Sequence, residues 1–398
     1  MRGSLVRRSI TLNAPRVILA AVILCLLVMR TPVVNSSGQT LSSVQLGTVP
    51  RGVAVDSGAG VLYAVLYLND TTLALDTTTF RTIATFHTPS PYAVAVDAAD
   101  GRAYVSQGES PSIQVVDGNK GSIVGSVIGA GTPYTLAVDQ TRNEVFAADT
   151  AGGALWVIDG ANDTVVAHLP IQDSSALAVD TGNHEAYAAI ASTNSTATIE
   201  AVSTVSNSVV SSVRVPLGPL HFAVDEGNHL LLVTGQPAAS SQDNFFILDD
   251  ETMKVLYSTQ LGDSPNEIAA GSSSNVFVSD VGNGRLYEMN DLSHAIEMNS
   301  TGDASSGLTF TGVTSMAFDA KTGDLYLTER EVTSLLVLST GEISQPSSSS
   351  SSSTPASASF SGATVVVLVA FGAVLSGVLI AGVRRSSVAP RARVVAGH

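Results

Sequence analysis

One short phrase recurs seven times in the middle of this chain, with alanine at the same place in every copy: Val53-Ala54-Val55-Asp56, Val94-Ala95-Val96-Asp97, Leu136-Ala137-Val138-Asp139, Leu177-Ala178-Val179-Asp180, Phe222-Ala223-Val224-Asp225, Ile268-Ala269-Ala270-Gly271 and Met316-Ala317-Phe318-Asp319. Successive copies end 41, 42, 41, 45, 46 and 48 residues apart. Self-similarity at about 40–50 residues, written in short apolar segments, is the signature of a radial array of small sheets. The prediction is an all-β, seven-bladed β-propeller over residues 40–341, with one four-stranded blade per repeat.

The unit at 91–132 is the cleanest: strands at 93–96, 102–106, 113–116 and 123–128 are separated by Asp/Gly turns at 97–101 and 117–121. Blades stack face on face about an axis, so the innermost strand is expected to be buried on both sides. A small residue on one face and a large one on the other then lets neighbours interdigitate. The aspartate that follows reads as an Asx-turn former, the alternative being a calcium ligand. After Asp319 only three strands remain, while 41–46 (LSSVQL) resembles the fourth strands of other repeats. This N-terminal strand is expected to complete the last blade and close the ring.

The ends predict a different environment. Residues 1–30 combine arginines with an apolar run at 17–29 and read as a signal peptide or an uncleaved signal anchor helix. Residues 363–383 carry no charge over a length that spans a bilayer, and Arg384, Arg385, Arg391 and Arg393 follow at once. That pattern predicts a single C-terminal transmembrane helix, a basic cytoplasmic tail at 384–398 and an extracellular propeller. The serine-rich stretch at 344–361 reads as a flexible stalk between propeller and membrane. Sequons at Asn35, Asn69, Asn162, Asn194 and Asn299 are glycosylation candidates in that setting.

The chain carries a net charge of −15, with its acidic residues confined to 31–383. A field of that sign disfavours nucleic acid and anionic lipid as partners, and either solvates the module or favours cations and basic partners. The single cysteine, Cys25, lies in the N-terminal apolar run, so the propeller has neither a disulfide framework nor thiolate chemistry.

The pattern Pro-x-x-Val-Ala-Val-Asp, a second strand such as Tyr104-Val105-Ser106-Gln107, and a third ending Val-Ile-Asp resembles the YVTN-repeat β-propellers of prokaryotic cell surfaces and surface layers. Segments 91–117 and 133–159 match best, and the literal tetrapeptide is absent. The resemblance implies the propeller fold and a cell-surface location. It implies no particular chemistry.

In a propeller, the loops entering the inner strands and those joining second to third strands share one face around the channel mouth. The entering residues vary from copy to copy while the strands do not, which is where binding specificity is expected on a repeated scaffold. Arg51, Tyr67, Tyr92, Gln107, Tyr134, His221, Asn266 and Arg330 form the candidate binding face. His221, Glu267, Asp280, Asp149 and Glu329 are weaker candidates for catalysis at the mouth, where a divalent metal would suit their chemistry. No fixed ligand spacing, phosphate loop or nucleophile elbow is present, and no cofactor is predicted. The expected function is a membrane-anchored binding or cell-envelope interaction module (adhesion, surface-layer association or ligand capture). Its partner would be an envelope protein, a glycan or a small ligand. The alternative is an anchored propeller hydrolase or lyase with a metal-assisted site at the mouth.

Overall fold

The computed structural model describes residues 33–34, 39–172, 174–191, 196–238, 241–300 and 310–340. These form a seven-bladed β-propeller. Blades 1 to 6 are antiparallel four-stranded meanders whose inner strands are Gly52–Asp56, Pro91–Asp97, Thr135–Asp139, Ser174–Asp180, Leu217–Asp225 and Pro265–Ala270. Blade 7 takes Val313–Asp319, Asp324–Glu329 and Ser334–Ser339 from the C-terminal side of the chain. Each inner strand packs against the inner strands of the two neighbouring blades, blade 7 against blade 1 included, so the ring is closed.

Closure is made by Thr40–Gln45, which pairs antiparallel with Ser334–Ser339 and sets Leu41 opposite Leu338 and Val44 opposite Leu335. Leu41 is buried among Phe277, Leu327 and Leu338 at the junction of blades 6 and 7. A two-residue strand, Val33–Val34, pairs with the outer side of this segment and makes blade 7 five-stranded. Sewing the last blade with a strand from the N-terminal side puts Thr40–Gln45 and Ser334–Ser339 in one sheet, so the ring cannot open without breaking that ladder.

The recurring alanine has a local cause. Ala54 pairs with Tyr63, Ala95 with Tyr104, Ala137 with Phe146, Ala178 with Tyr187, Ala269 with Phe277 and Ala317 with Tyr326. Directly opposed residues share a sheet face with Cβ atoms about 5 Å apart, so a bulkier inner residue would collide with the ring. Those six aromatic side chains are essentially fully buried, each contributing about 2–3 kcal/mol of burial. The seven apolar clusters each bridge one pair of adjacent blades.

The expectation of an inner strand buried on both sides is corrected here. Inner strands are only half-buried at several positions, as in Thr135–Asp139, whereas every residue of the second strand Val61–Leu66 is buried. Seven strands around one axis leave a channel too wide for their side chains to fill, so the densest packing moves outward by one strand. Blades 1 to 6 also share a β-bulge between third and outer strands, for example at Ala74/Leu75 and Val157/Ile158. The closing strand of blade 7, which follows no such turn, pairs without one.

The only helix among the described residues is the short 3-10 turn Tyr67–Asn69, and none is long and apolar enough to cross a membrane. The segments read as signal or anchor (1–30), stalk (344–361), transmembrane helix (363–383) and tail (384–398) lie outside the described residues.

Candidate functional site

Residues at the mouth ends of the inner strands line a cavity of about 1410 Å³ at the channel mouth, with Tyr67 and Arg330 added from the second-to-third-strand loops. Their placement follows from the ladder. Arg51 N donates to Val65 O at 2.9 Å and Tyr134 N to Ala148 O at 3.0 Å, extending the inner strands by one residue and fixing both side chains on rigid backbone. In blades 2, 4, 5, 6 and 7 the inner strand is irregular at its mouth end, as at Pro91/Val94 and Pro265/Ile268. Such bulges re-aim the flanking side chains. They were not visible in the sequence.

Across blades 1 to 3 the mouth carries an aromatic shelf. The Tyr92 and Tyr134 rings meet edge to face, with centroids 4.7 Å apart and planes at 80°. The Arg51 guanidinium carbon lies 3.7 Å from the Tyr92 ring centroid and 5.9 Å from that of Tyr67. Tyr67 Oη donates to Glu109 Oε1 at 3.0 Å, and this bond raises the phenol above its ordinary pKa. Cation–π and edge-to-face contacts are each worth about 0.5–1.5 kcal/mol, enough to hold one arrangement of the shelf.

On the far side, His221 Nδ1 lies 3.4 Å from Glu267 Oε1, both side chains partly buried. Burial pushes the Glu267 carboxyl up, and the neighbouring imidazole pulls it back. Asn266 braces the next blade, its Nδ2 donating to Val313 O at 3.0 Å.

Gln107, Asp149, Asp280 and Glu329 all end second strands, one repeat position shared by four blades. All four are buried. Gln107 accepts from Ser112 Oγ. Asp149 Oδ1 accepts from Gly152 N at 2.9 Å. Asp280 accepts from the backbone N–H groups of Asp263, Ser264 and Gly282 at 2.6, 2.9 and 2.9 Å. Glu329 Oε1 accepts from Gly312 N at 3.5 Å, and burial pushes its carboxyl up to about 7. The three carboxyls are thus turned to loop backbone, and of the five acid/base candidates the mouth brings His221 and Glu267 together.

Asn69 and Asn162 are exposed, Asn162 in the turn after the third strand of blade 3 with its Nδ2 donating to Asp159 Oδ2 at 2.6 Å. Asn299 stands in the outer strand Ile296–Ser300, while Asn35 and Asn194 lie outside the described residues.

At the opposite end of the channel, the aspartates of the recurring phrase do cap turns: Asp56 Oδ1 accepts from Ala59 N at 2.8 Å, Asp97 Oδ1 from Ala99 N at 3.0 Å and Asp180 Oδ1 from Gly182 N at 2.7 Å. One of them does more. Among the described residues, the one group of three metal-capable side chains whose ligand atoms lie within 4.8 Å of one another is Asp180, His229 and Asp250. Sequence reasoning placed Asp180 among ordinary turn formers and passed over the other two.

No protein-family model matches this chain, and no curated protein matches its sequence. Among solved structures 1485 chains match, so the fold by itself narrows function very little. One of them is hydrazine synthase of Kuenenia stuttgartiensis, similar with a TM-score of 0.62 over 74% of this chain and 96% of that one, at 14% identity. A likeness at that identity shows the propeller fold alone. The resemblance to the YVTN repeats rests on the residues quoted for it.

Proposed function

We propose that this chain is a binding module, tethered at a cell surface, that takes a glycan at the channel mouth of its propeller. The observation that carries the reading is the shelf of Arg51, Tyr92 and Tyr134 across blades 1 to 3. Rigid aromatic faces flanked by fixed polar groups bind rings that are apolar on one face and hydroxylated at the edge. Arg51 and Arg330 both line the mouth and offer planar donors to an acidic substituent. The cavity exceeds the roughly 300–1,000 Å³ of ordinary small-ligand sites, which suits an oligosaccharide better than a monosaccharide. Support for the tether is the uncharged run at 363–383 followed by arginines.

The test is a glycan array probed with the full chain, followed by titration calorimetry on the best ligand. Tyr92→Ala is expected to weaken binding at least tenfold while lowering the melting temperature by no more than about 4 °C. No glycan bound, or equal affinity for the variant, refutes the reading. The second reading, an anchored hydrolase or lyase, rests on the His221–Glu267 pair as acid and base. It requires turnover that Glu267→Gln abolishes while glycan binding persists.

A further inference from the structure

The base of the propeller contains an internal comparison. At three successive junctions the aspartate ending one inner strand meets the residue just past the third strand of the following blade: Asp139 meets Thr204, Asp180 meets Asp250 and Asp225 meets Asp291. Between blades 3 and 4 that residue is Thr204, whose Oγ1 donates to Asp139 Oδ2 at 2.9 Å. Between blades 4 and 5 the same repeat position is Asp250, facing Asp180, and both residues are fully buried. A donor has been replaced by a second acceptor.

The remaining bonds do not resolve this. Asp180 Oδ1 accepts from Gly182 N and Asn183 N at 2.7 and 3.1 Å, and Asp250 Oδ1 from Asn183 Nδ2 at 2.7 Å. The Oδ2 atom of each carboxyl is buried without a hydrogen-bond partner. Two unpartnered carboxyl oxygens in one dry pocket call for a proton or a cation between them. Beside them stands His229, whose Nδ1 lies 3.8 Å from Asp250 Oδ1 while its ring remains 53% exposed. This residue occupies a left-handed position, φ 57°, where blades 1, 2 and 7 have Gly60, Gly101 and Gly323.

We propose that Asp180, His229 and Asp250 form a divalent transition-metal site, zinc being the cation that suits it best, which clamps blade 4 to blade 5. Two carboxylate oxygens and one imidazole nitrogen leave a fourth position for water on the open side. Mixed imidazole and carboxylate donors favour zinc over calcium or magnesium, which take oxygen alone. Ligand atoms around tetrahedral zinc stand about 3.3 Å apart, so the three groups, already within 4.8 Å of one another, need only rotamer-scale closure. The half-exposed imidazole gives the ion a route from solvent.

The junction between blades 5 and 6 shows why histidine matters. There Asp225 faces Asp291, but Ser274 stands where blade 5 has His229, and its hydroxyl accepts from Asn228. That pair has two carboxylates and no imidazole, so the zinc site is assigned to one junction alone.

The experiment uses the purified full chain without a histidine tag, stripped with a chelator and titrated with zinc, calcium and magnesium chlorides at pH 7.5. Expected are one zinc per chain, a zinc-dependent rise in melting temperature, and no response to calcium or magnesium. Asp250→Thr, which installs the hydroxyl that Thr204 provides one blade earlier, is expected to fold and to lose stoichiometric zinc binding. His229→Gly, matching blades 1, 2 and 7 at this turn, is expected to weaken zinc at least tenfold. No zinc uptake by the parent chain, or uptake unchanged in both variants, overturns the proposal. So does calcium binding in place of zinc, or an Asp250→Thr chain that is merely more stable with no cation effect in either protein. The mouth plays no part in any arm.

Discussion

Asp291→Thr isolates the cost of a carboxyl pair that no cation relieves. Both oxygens of Asp291 are buried without a hydrogen-bond partner, and Asp225 already spends its own oxygens on Gly227 N, Asn228 N and Asn228 Nδ2. Burial, then the charge of Asp225, pushes the Asp291 carboxyl up to about 7. The sign follows from proton counting. Between the unfolded pKa near 4 and the folded value, the native state holds a proton that the unfolded chain has lost, so stability falls as pH rises through this window. A carboxyl titrating about three pH units late costs about 4 kcal/mol once ionised. Local relaxation and an effective dielectric well above that of a dry interior reduce this to about 2 kcal/mol. For a propeller of this size that corresponds to about 3 °C. Threonine keeps a small polar side chain at the position and supplies a donor, as Thr204 does to Asp139 at 2.9 Å. Differential scanning fluorimetry at pH 4 and pH 8, in the presence of chelator, should find the variant level with the parent at pH 4 and about 3 °C more stable at pH 8. An equal difference at both pH values, or a less stable variant at pH 8, would show that the pair is not the strained element described here.

Two further outcomes follow from the same geometry. Tyr63→Phe removes the hydroxyl that accepts from Gly118 N at 2.9 Å across the junction of blades 1 and 2; the orphaned N–H should cost about 1–2 kcal/mol in urea unfolding, while Phe146→Leu, which breaks no such bond, should leave backbone exchange at Gly118 unchanged. The carboxyls of Asp76, Asp159 and Asp249 are held below their usual range by Thr79, Asn162 and Thr252, donors within their own turns, so their contribution is present above about pH 4 and lost as pH falls through the lowered pKa; with Asp291 acting oppositely, melting temperature in chelator should peak near pH 5–6, and a monotonic rise to pH 8 would contradict it.

The ring was legible because its cause is local and repeated. An alanine opposite an aromatic residue leaves the same trace in six of the seven copies, and Ala95 facing Tyr104 is decided by atoms within one hairpin. The face on which Arg51, Tyr92 and Tyr134 emerge was also legible, because position in the repeat determines which end of the channel a residue occupies. Their contacts were not. The edge-to-face pairing of Tyr92 with Tyr134 depends on a bulge at Pro91/Val94 and on the spacing of adjacent blades. The base was missed because its contacts cross from one repeat to the next. Reading one column through all copies would have exposed it: Thr77, Gly118, Gly160, Thr204, Asp250, Asp291 and Thr340 follow the third strands. Small or hydroxylic residues hold five of those places, and a second carboxylate opposite a turn aspartate stands out against them.

That column also bears on the acidity of the chain. A net charge of −15 invites a reading in terms of basic partners or solvation, yet much of the acid has a nearer employment. Asp56, Asp97, Asp139, Asp180, Asp225 and Asp319 accept backbone N–H bonds after inner strands, and Asp76, Asp159 and Asp249 do so after third strands. Asp149 and Asp280 brace loops at the mouth. An ionised carboxylate is the strongest acceptor available to a tight turn, and a propeller multiplies its turns by the number of blades. Negative charge therefore accumulates from the turn chemistry of the repeat whatever the protein binds. The informative charges are those the turns do not require, among them Asp250 and Asp291 at the base and Arg51, Glu267 and Arg330 at the mouth.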